Sequence, residues 1–268
     1  MALEILDLGQ IEYVEAWRLQ EAYAEQIARG ERSPTLLLLE HPHVYTFGRM
    51  GKPEHLLLDE AGLSRRGVAV HWVDRGGDVT YHGPGQLVGY PLILLHRLAP
   101  GPSSSQRSVD QDRSVGSGAT RSNTPRADYV GYVRKLEDIL VAALSRLGVV
   151  SGQRRGFTGV WVQPDVWSRC SRCRPEDRHR PAKLAAIGVK VDARGVTRHG
   201  FALNVAPDMS YWDGIVSCGL PGEPVTSLAD LISPLPPMSR VKDVVAAEFS
   251  AAFATSASGD SPQTARAD

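Results

Sequence analysis

Cys218 lies in "YWDGIVSCGLPGEPVTSLADL", after the apolar pair Ile215 and Val216 and directly before Gly219, where a strand gives way to a turn. A thiol there can act as a nucleophile if a neighbour makes it a thiolate, because a free thiol with a pKa of about 8.5 is only slightly ionised at neutral pH. The candidate neighbour is Lys183 in "AKLAAIGVKV", at the opening of an apolar strand. Burial lowers a lysine pKa and a nearby thiolate raises it. The pair could therefore exist as thiolate and ammonium, or as thiol and amine with the amine as general base. Plainer readings stand beside this one: a buried structural cysteine, and a strand-end lysine whose stem packs while its head reaches water. Sequence alone does not bring the two residues together.

A second stretch rich in chemistry runs from Arg75, "RGGDVTYHGPGQLVGYPLILL". Gly76, Gly77, Gly83 and Gly85 each weaken regular structure, since glycine loses more backbone freedom on folding than any other residue. They suit either a hairpin loop or a backbone drawn close to a ligand, with Arg75, Tyr81 and His82 converging on it. The phosphate-loop pattern is absent, and the spacing is not that of a dinucleotide fingerprint. Arg75 could clamp an anion or pair with Asp74 or Asp78, and His82 could be structural or functional. His199, beside Gly200 in "TRHGFALNV", could line the same cleft or simply end a strand.

Two other groups have the look of partial metal sites. Cys170, Cys173 and His179 supply three ligands where a structural zinc uses four. His41 and His43 in "HPHV" have no carboxylate or cysteine at ligand spacing. Neither supports a metal, and no cofactor is expected.

Around these residues the chain alternates helical and strand-like patterns. Residues 12–29 carry Tyr13, Ala16, Trp17, Tyr23, Ala24 and Ile27 at helical spacing, stopped by Gly30. "TLLLLE", "HVYTFGR", "VAVHWVD" and "QLVGYPLILL" read as strands. Val130, Val133, Leu136, Leu140, Leu144 and Leu147 mark an amphipathic helix. "GVWV", "KLAAIGVKV" and "VTRHGFALNV" follow as strands, the last two joined by the turn "DARG". A final helix starts at Ser239 with Val241, Val245, Phe249 and Phe253 inward. The order lacks a regular βαβ rhythm, which favours an α+β or mixed-sheet α/β fold. One domain is expected over residues 1–254. Residues 100–126 and 165–181 are expected to be polar, disordered insertions, and 255–268 a disordered tail.

With 268 residues, 42% of them hydrophobic, the chain can bury a large core. Its thirty basic and thirty acidic residues cancel, so neither nucleic acid nor a membrane surface is indicated as a partner. No apolar run is long enough for a membrane span, the N-terminus lacks a basic signal-peptide region, and three cysteines are too few for a secreted disulfide scaffold. A cytoplasmic location is expected.

Taken together, "LLLLEHPHVYTFGR", "RGGDVTYHGPGQLVGYPLI", "GVWV", "KLAAIGVKV", "VTRHGFALNV" and "GIVSCGLPGEPVTSLADL" resemble the octanoyltransferases of lipoate biosynthesis, in that family's order and over about residues 36–231. The resemblance implies a fold related to lipoate and biotin protein ligases. It implies that Cys218 takes an octanoyl group from acyl carrier protein as a thioester, without ATP. The group would then pass to a lysine on lipoyl domains of 2-oxoacid dehydrogenase complexes or on the glycine cleavage H protein. Lys183 would lower the Cys218 pKa or carry its proton. Arg75, Gly76, Gly77, Asp78, Val79, Thr80, Tyr81 and His82, with Ala186, Ile187, Gly188, Gly200, Phe201 and Ala202, would line the acyl pocket. Three features depart from the pattern: Ser217 replaces the proline usual before the cysteine, and the two polar segments are additions. An ATP-dependent lipoate or biotin ligase, a non-catalytic module binding carrier or lipoyl domains, and a zinc-dependent binding protein using Cys170, Cys173 and His179 are the competing readings.

Overall fold

The computed structural model describes residues 2–95, 128–168, 170, 173–219 and 222–254, and the backbone alone of Cys218. Seven strands form the main sheet in the order β1-β2-β6-β10-β9-β8-β7. They are β1 (Glu4–Gln10), β2 (Thr35–Glu40), β6 (Gln86–Leu92), β7 (Gly152–Arg154), β8 (Phe157–Val162), β9 (Ala182–Val191) and β10 (Thr197–Asn204). Only β1 and β2 run parallel within it. A smaller sheet has the order β4-β3-β5, from β3 (Val44–Phe47), β4 (Ala69–Trp72) and β5 (Val79–His82). This is the mixed-sheet architecture that the irregular alternation of elements predicts.

Each face of the main sheet is covered by helices whose apolar stripe matches it. Leu36, Leu38, Leu87, Phe201 and Leu203 meet α3 (Tyr129–Arg146) and α6 (Met238–Ala254). Leu37, Leu39, Val88 and Leu92 point the other way, toward Ala16, Ala24 and Ile27 of α1 (Tyr13–Arg29). The alternation along β2 and β6 thus lets continuous apolar strands serve two cores, as expected for strands buried on both faces. Gly30 closes α1 in the left-handed conformation at φ +77. Val241, Val245, Phe249 and Phe253 are buried as the spacing predicts, although α6 begins at Met238, which puts Ser239 inside its first turn. Val130 is 72% exposed, so the stripe of α3 begins one turn later than its sequence pattern suggests.

The segment 165–181, expected to be a polar insertion, contributes two buried side chains among its described residues. α4 (Pro164–Trp167) leads into it, Trp167 is buried and its Nε1 donates to the Arg180 carbonyl at 2.8 Å, and Cys173 is also buried. Trp167 and Cys173 pack into the domain, while Asp165, Arg174, Glu176, Arg178 and His179 of the same segment are exposed. The expected insertion at 100–126 and the tail at 255–268 lie outside the described residues. Among the described residues no helix is long and apolar enough to cross a membrane.

Candidate active site

β5, β9 and β10 converge with the loop from Arg75 on a pocket of about 290 Å³. Its walls include Arg75, Gly76, Gly77, Asp78, Thr80, His82, Lys183, Ala186, Ile187, Gly188, Gly200, Phe201 and Ala202. Ligand clefts begin at about 300 Å³, so this one suits a slender guest.

Local irregularities aim these side chains. In a regular strand Lys183 and Ala186 would face opposite sides of the sheet. Between the pairs Val160–Ala185 and Trp161–Lys183 the register shifts past Leu184, and this bulge turns both residues to the pocket. Gly159 sits at the bulge with φ +118, where a Cβ would lie 2.5 Å from the Ala185 carbonyl oxygen. Its N–H donates to the buried Glu137 carboxylate at 2.9 Å, which ties the bulge to α3. Lys183 itself is buried, with Nζ 4.8 Å from the centre of the Trp161 ring.

Cys218 occupies a 3-10 turn, Ser217–Gly219, held at both ends by backbone bonds. Before it, the Val216 N–H donates to the His55 carbonyl at 2.9 Å, and Ile215 bridges Leu56. After it, Val225 pairs with Lys183: the Lys183 N–H donates to the Pro224 carbonyl at 2.8 Å, and the Thr226 N–H donates to the Lys183 carbonyl at 3.0 Å. The loop bearing Cys218 is therefore laced to the strand bearing Lys183.

Arg75 is buried in the pocket wall. It donates from Nη2 to the Thr46 hydroxyl at 2.9 Å and carbonyl at 2.5 Å, and from Nη1 to the Gly76 carbonyl at 3.0 Å, fastening the glycine loop to β3. Asp74 accepts from His199 Nε2 at 2.8 Å, from Arg198 at 2.8 Å and from Lys190. Burial works against the Asp74 carboxylate, but the His199 and Lys190 hydrogen bonds and the Arg198 charge outweigh it and hold its pKa well below the usual range.

The far end of the pocket is aromatic and polar. His82 is buried, with Nδ1 2.8 Å from Gln86 Oε1, and Tyr13 stacks on it at 6.0 Å between ring centres. Burial, reinforced by neighbouring His41, pushes His82 well below the ordinary histidine pKa. His41 Nδ1 lies 2.8 Å from the Ile11 carbonyl and Nε2 lies 2.7 Å from the Tyr90 hydroxyl. His199 also lines the pocket and takes the left-handed conformation, φ 57, held by a 2.7 Å bond from its N–H to Gln20 Oε1.

Two residues of the expected set fall outside the lining. Val79 and Tyr81 alternate with Thr80 and His82 along β5, so they point into a separate core with Tyr45, Phe47 and Trp212. Conversely, Tyr13, Tyr90, Met50, Gly156, Phe157 and Thr158 line the pocket without having been singled out. Tyr13 and Tyr90 carry only the helix and strand periodicities of core residues, and the other four carry no local signal. His43 stacks on Tyr211 at 4.0 Å and meets the Tyr81 hydroxyl at 2.8 Å. Among the described residues no cluster of three or more His, Cys, Asp or Glu could hold a metal ion.

The model of the lipoyl protein ligase A/B catalytic domain matches residues 12–107 and 108–250. An octanoyltransferase of Chloroflexus aggregans is 40% identical over 251 residues, covering 94% of this chain and 95% of its own. One from Cytophaga hutchinsonii is 35% identical, covering 92% and 91%. Among solved structures, a putative lipoate protein ligase of T. acidophilum with bound lipoic acid superposes with a TM-score of 0.61 at 16% identity, covering 95% of this chain and 87% of that one. Lipoate-protein ligase A bound with ATP gives 0.59 at 16% identity, covering 94% and 85%. At such identities the structural likeness speaks for the fold alone.

Proposed function

We propose, from the premise that this chain belongs to the lipoyl protein ligase A/B catalytic-domain family and performs octanoyl transfer in lipoate biosynthesis, that Cys218 carries the octanoyl group as a thioester between acyl carrier protein and a lipoyl-domain lysine. The observation that carries this reading is the lacing of the Cys218 loop to Lys183, with the Lys183 side chain in the pocket wall. A thiol becomes a nucleophile beside a group that can take or balance its proton, and Lys183 is the titratable side chain that this lacing supplies. The thioester donor is already activated, so no ATP is required. Transfer then proceeds in two exchanges, each easier than direct passage between two large proteins.

The acyl chain would lie along Gly76, Gly77, Ala186, Ile187, Gly188, Gly200, Phe201 and Ala202, which expose backbone and short or apolar side chains. At about 0.8 kcal/mol per buried methylene, an eight-carbon chain contributes several kcal/mol to binding. Arg75, Asp78, Thr80 and His82 would border it, and Arg75 would also fix the loop to β3. The acceptors are lipoyl domains, those of 2-oxoacid dehydrogenase complexes and the glycine cleavage H protein, and the reaction is assigned to the cytoplasm.

Intact-protein mass spectrometry after mixing the enzyme with octanoyl-acyl carrier protein, without ATP, tests the route. One octanoyl mass should appear on the wild type and be absent from Cys218→Ser. Transfer that occurs only with ATP and free octanoate would replace this reading with that of a ligase.

A further inference from the structure

The turn that bears Cys218 rests on a second pair of groups, His55 and Asp78. Asp78 directly precedes β5 and is buried. Its Oδ1 accepts the Val79 N–H at 2.6 Å, and its Oδ2 lies 2.6 Å from His55 Nδ1. A carboxylate can only accept, so Nδ1 carries the proton of this bond and Nε2 becomes the nitrogen that can exchange one.

The pair is pressed against the residue next to Cys218. Gly219 has φ +65, and a Cβ there would lie 2.4 Å from Asp78 Oδ2 and 3.4 Å from His55 Cε1. Only glycine fits, and the ring's Cε1 corner, which lies between Nδ1 and Nε2, faces the turn. His55 also holds the turn by its carbonyl, through the Val216 N–H. A carboxylate that fixes the tautomer of an imidazole beside a nucleophile is an arrangement suited to moving protons. The His55 side chain is 16% exposed, so an incoming substrate can reach it.

We propose that His55, oriented by Asp78, is a second proton carrier at Cys218, serving the two groups that enter and leave while Lys183 serves the thiol. The inference rests on the Cys218 thioester route. In the first exchange the Cys218 sulfur bonds to the acyl carbon, the carbon–sulfur bond to the donor breaks, and the departing thiolate takes a proton from the His55 imidazolium. In the second, the acceptor amine nitrogen bonds to the acyl carbon and the bond to Cys218 breaks. The nitrogen gives one proton to the now neutral His55 Nε2, and Cys218 leaves as thiolate. The cycle returns every group to its starting state, and donor thioester plus amine has become donor thiol plus amide.

The test isolates the second exchange. Octanoyl-enzyme formed on the full-length protein is mixed with a lipoyl domain, and amide formation is followed by intact mass, with and without added imidazole. His55→Ala is expected to slow transfer by about 10²-fold or more, the usual size of general acid–base catalysis, and imidazole should restore a saturable part. Asp78→Asn should also slow it, without rescue by imidazole. His55→Gln, which keeps a polar side chain at the turn, should lose as much as His55→Ala. Transfer at the wild-type rate in either His55 variant, or a loss in His55→Ala that imidazole leaves untouched, would overturn the assignment. If the wild type never gains the octanoyl mass, the thioester route fails instead, and the same spectra show which has occurred.

Discussion

Acid should destabilise this protein through His41, and the structure says by how much. His41 is fully buried. Its Nδ1 donates to the Ile11 carbonyl, and its Nε2 accepts from the Tyr90 hydroxyl. Burial raises the Tyr90 pKa well above its ordinary value, so the hydroxyl keeps its proton and donates it. That arrangement needs a neutral imidazole. Burial pushes the His41 pKa down to about 4, against the opposing effect of the Ile11 bond. In the unfolded chain the value is about 6.5. Between these two limits the unfolded state binds more protons, so stability is complete above about pH 6.5 and is lost as pH falls. The difference corresponds to about 3 kcal/mol in full, of which about 2 kcal/mol is gone by pH 5. His41→Asn can keep the bond to Ile11 while removing the titration. It should cost about 1–3 kcal/mol at pH 7.5, because the Tyr90 hydroxyl loses its acceptor, yet lose less stability than the wild type on going to pH 5. Urea denaturation at the two pH values measures both quantities. His82 and His199 are also held below the ordinary value by burial, so some acid sensitivity remains in the variant. Equal losses in wild type and His41→Asn would refute the assignment of the titration to His41.

Three further outcomes are expected. Replacing octanoyl by hexanoyl removes two buried methylenes, about 1.6 kcal/mol, so kcat/KM should fall roughly fifteen-fold; a flat dependence on chain length would mean that the chain does not occupy the pocket. Lys183→Ala should move alkylation of Cys218 to higher pH, read by peptide-resolved iodoacetamide labelling, and a superimposable profile would remove Lys183 from that role. Trp167→Ala should destabilise the fold by about 3 kcal/mol or more, since Trp167 is buried and its indole is hydrogen-bonded; an unchanged Tm would mean that this segment does not share the domain's core.

The elements legible in the sequence were those whose burial is dictated by their own pattern. β2, β6, β9, β10, α1, α3 and α6 each carry an apolar run or stripe that only a packed strand or helix can satisfy. β5 carries no strand signal of its own, because "VTYH" is short and fenced by glycines; it pairs with β3 within the small sheet. β1 lies at an edge, and α2 (Glu60–Arg66) exposes most of its residues, so neither has a continuous core-facing signal. At the site, the Arg75 loop is legible from its glycines, whereas the pocket residues of β9 and β10 follow only from the family resemblance. Tyr13 and Tyr90 follow from neither. Each looks like an ordinary core aromatic, and they reach the pocket only because α1 and β6 pack around the junction of the two sheets.

That junction also decides what the glycines are for. A chain that simply made room for a ligand would place glycines facing empty space, and several here face protein instead. A Cβ on Gly200 would lie 2.1 Å from the Gly89 carbonyl oxygen, and one on Gly85 would lie 2.3 Å from that of Ala206. One on Gly188 would approach Arg75 Cδ to 3.0 Å and the Gly76 carbonyl oxygen to 3.1 Å. Gly76 in turn donates its N–H to the Val189 carbonyl at 3.0 Å, closing the loop onto β9. These contacts let the Arg75 loop, β9 and β10 approach more closely than side chains would permit, and buried Arg75 bolts the loop to β3. The slot therefore follows from backbone-to-backbone packing and its walls are stiff. A narrow guest then gains its burial without the cost of ordering flexible side chains, so selection by chain length resides in the strands as much as in the residues that line them.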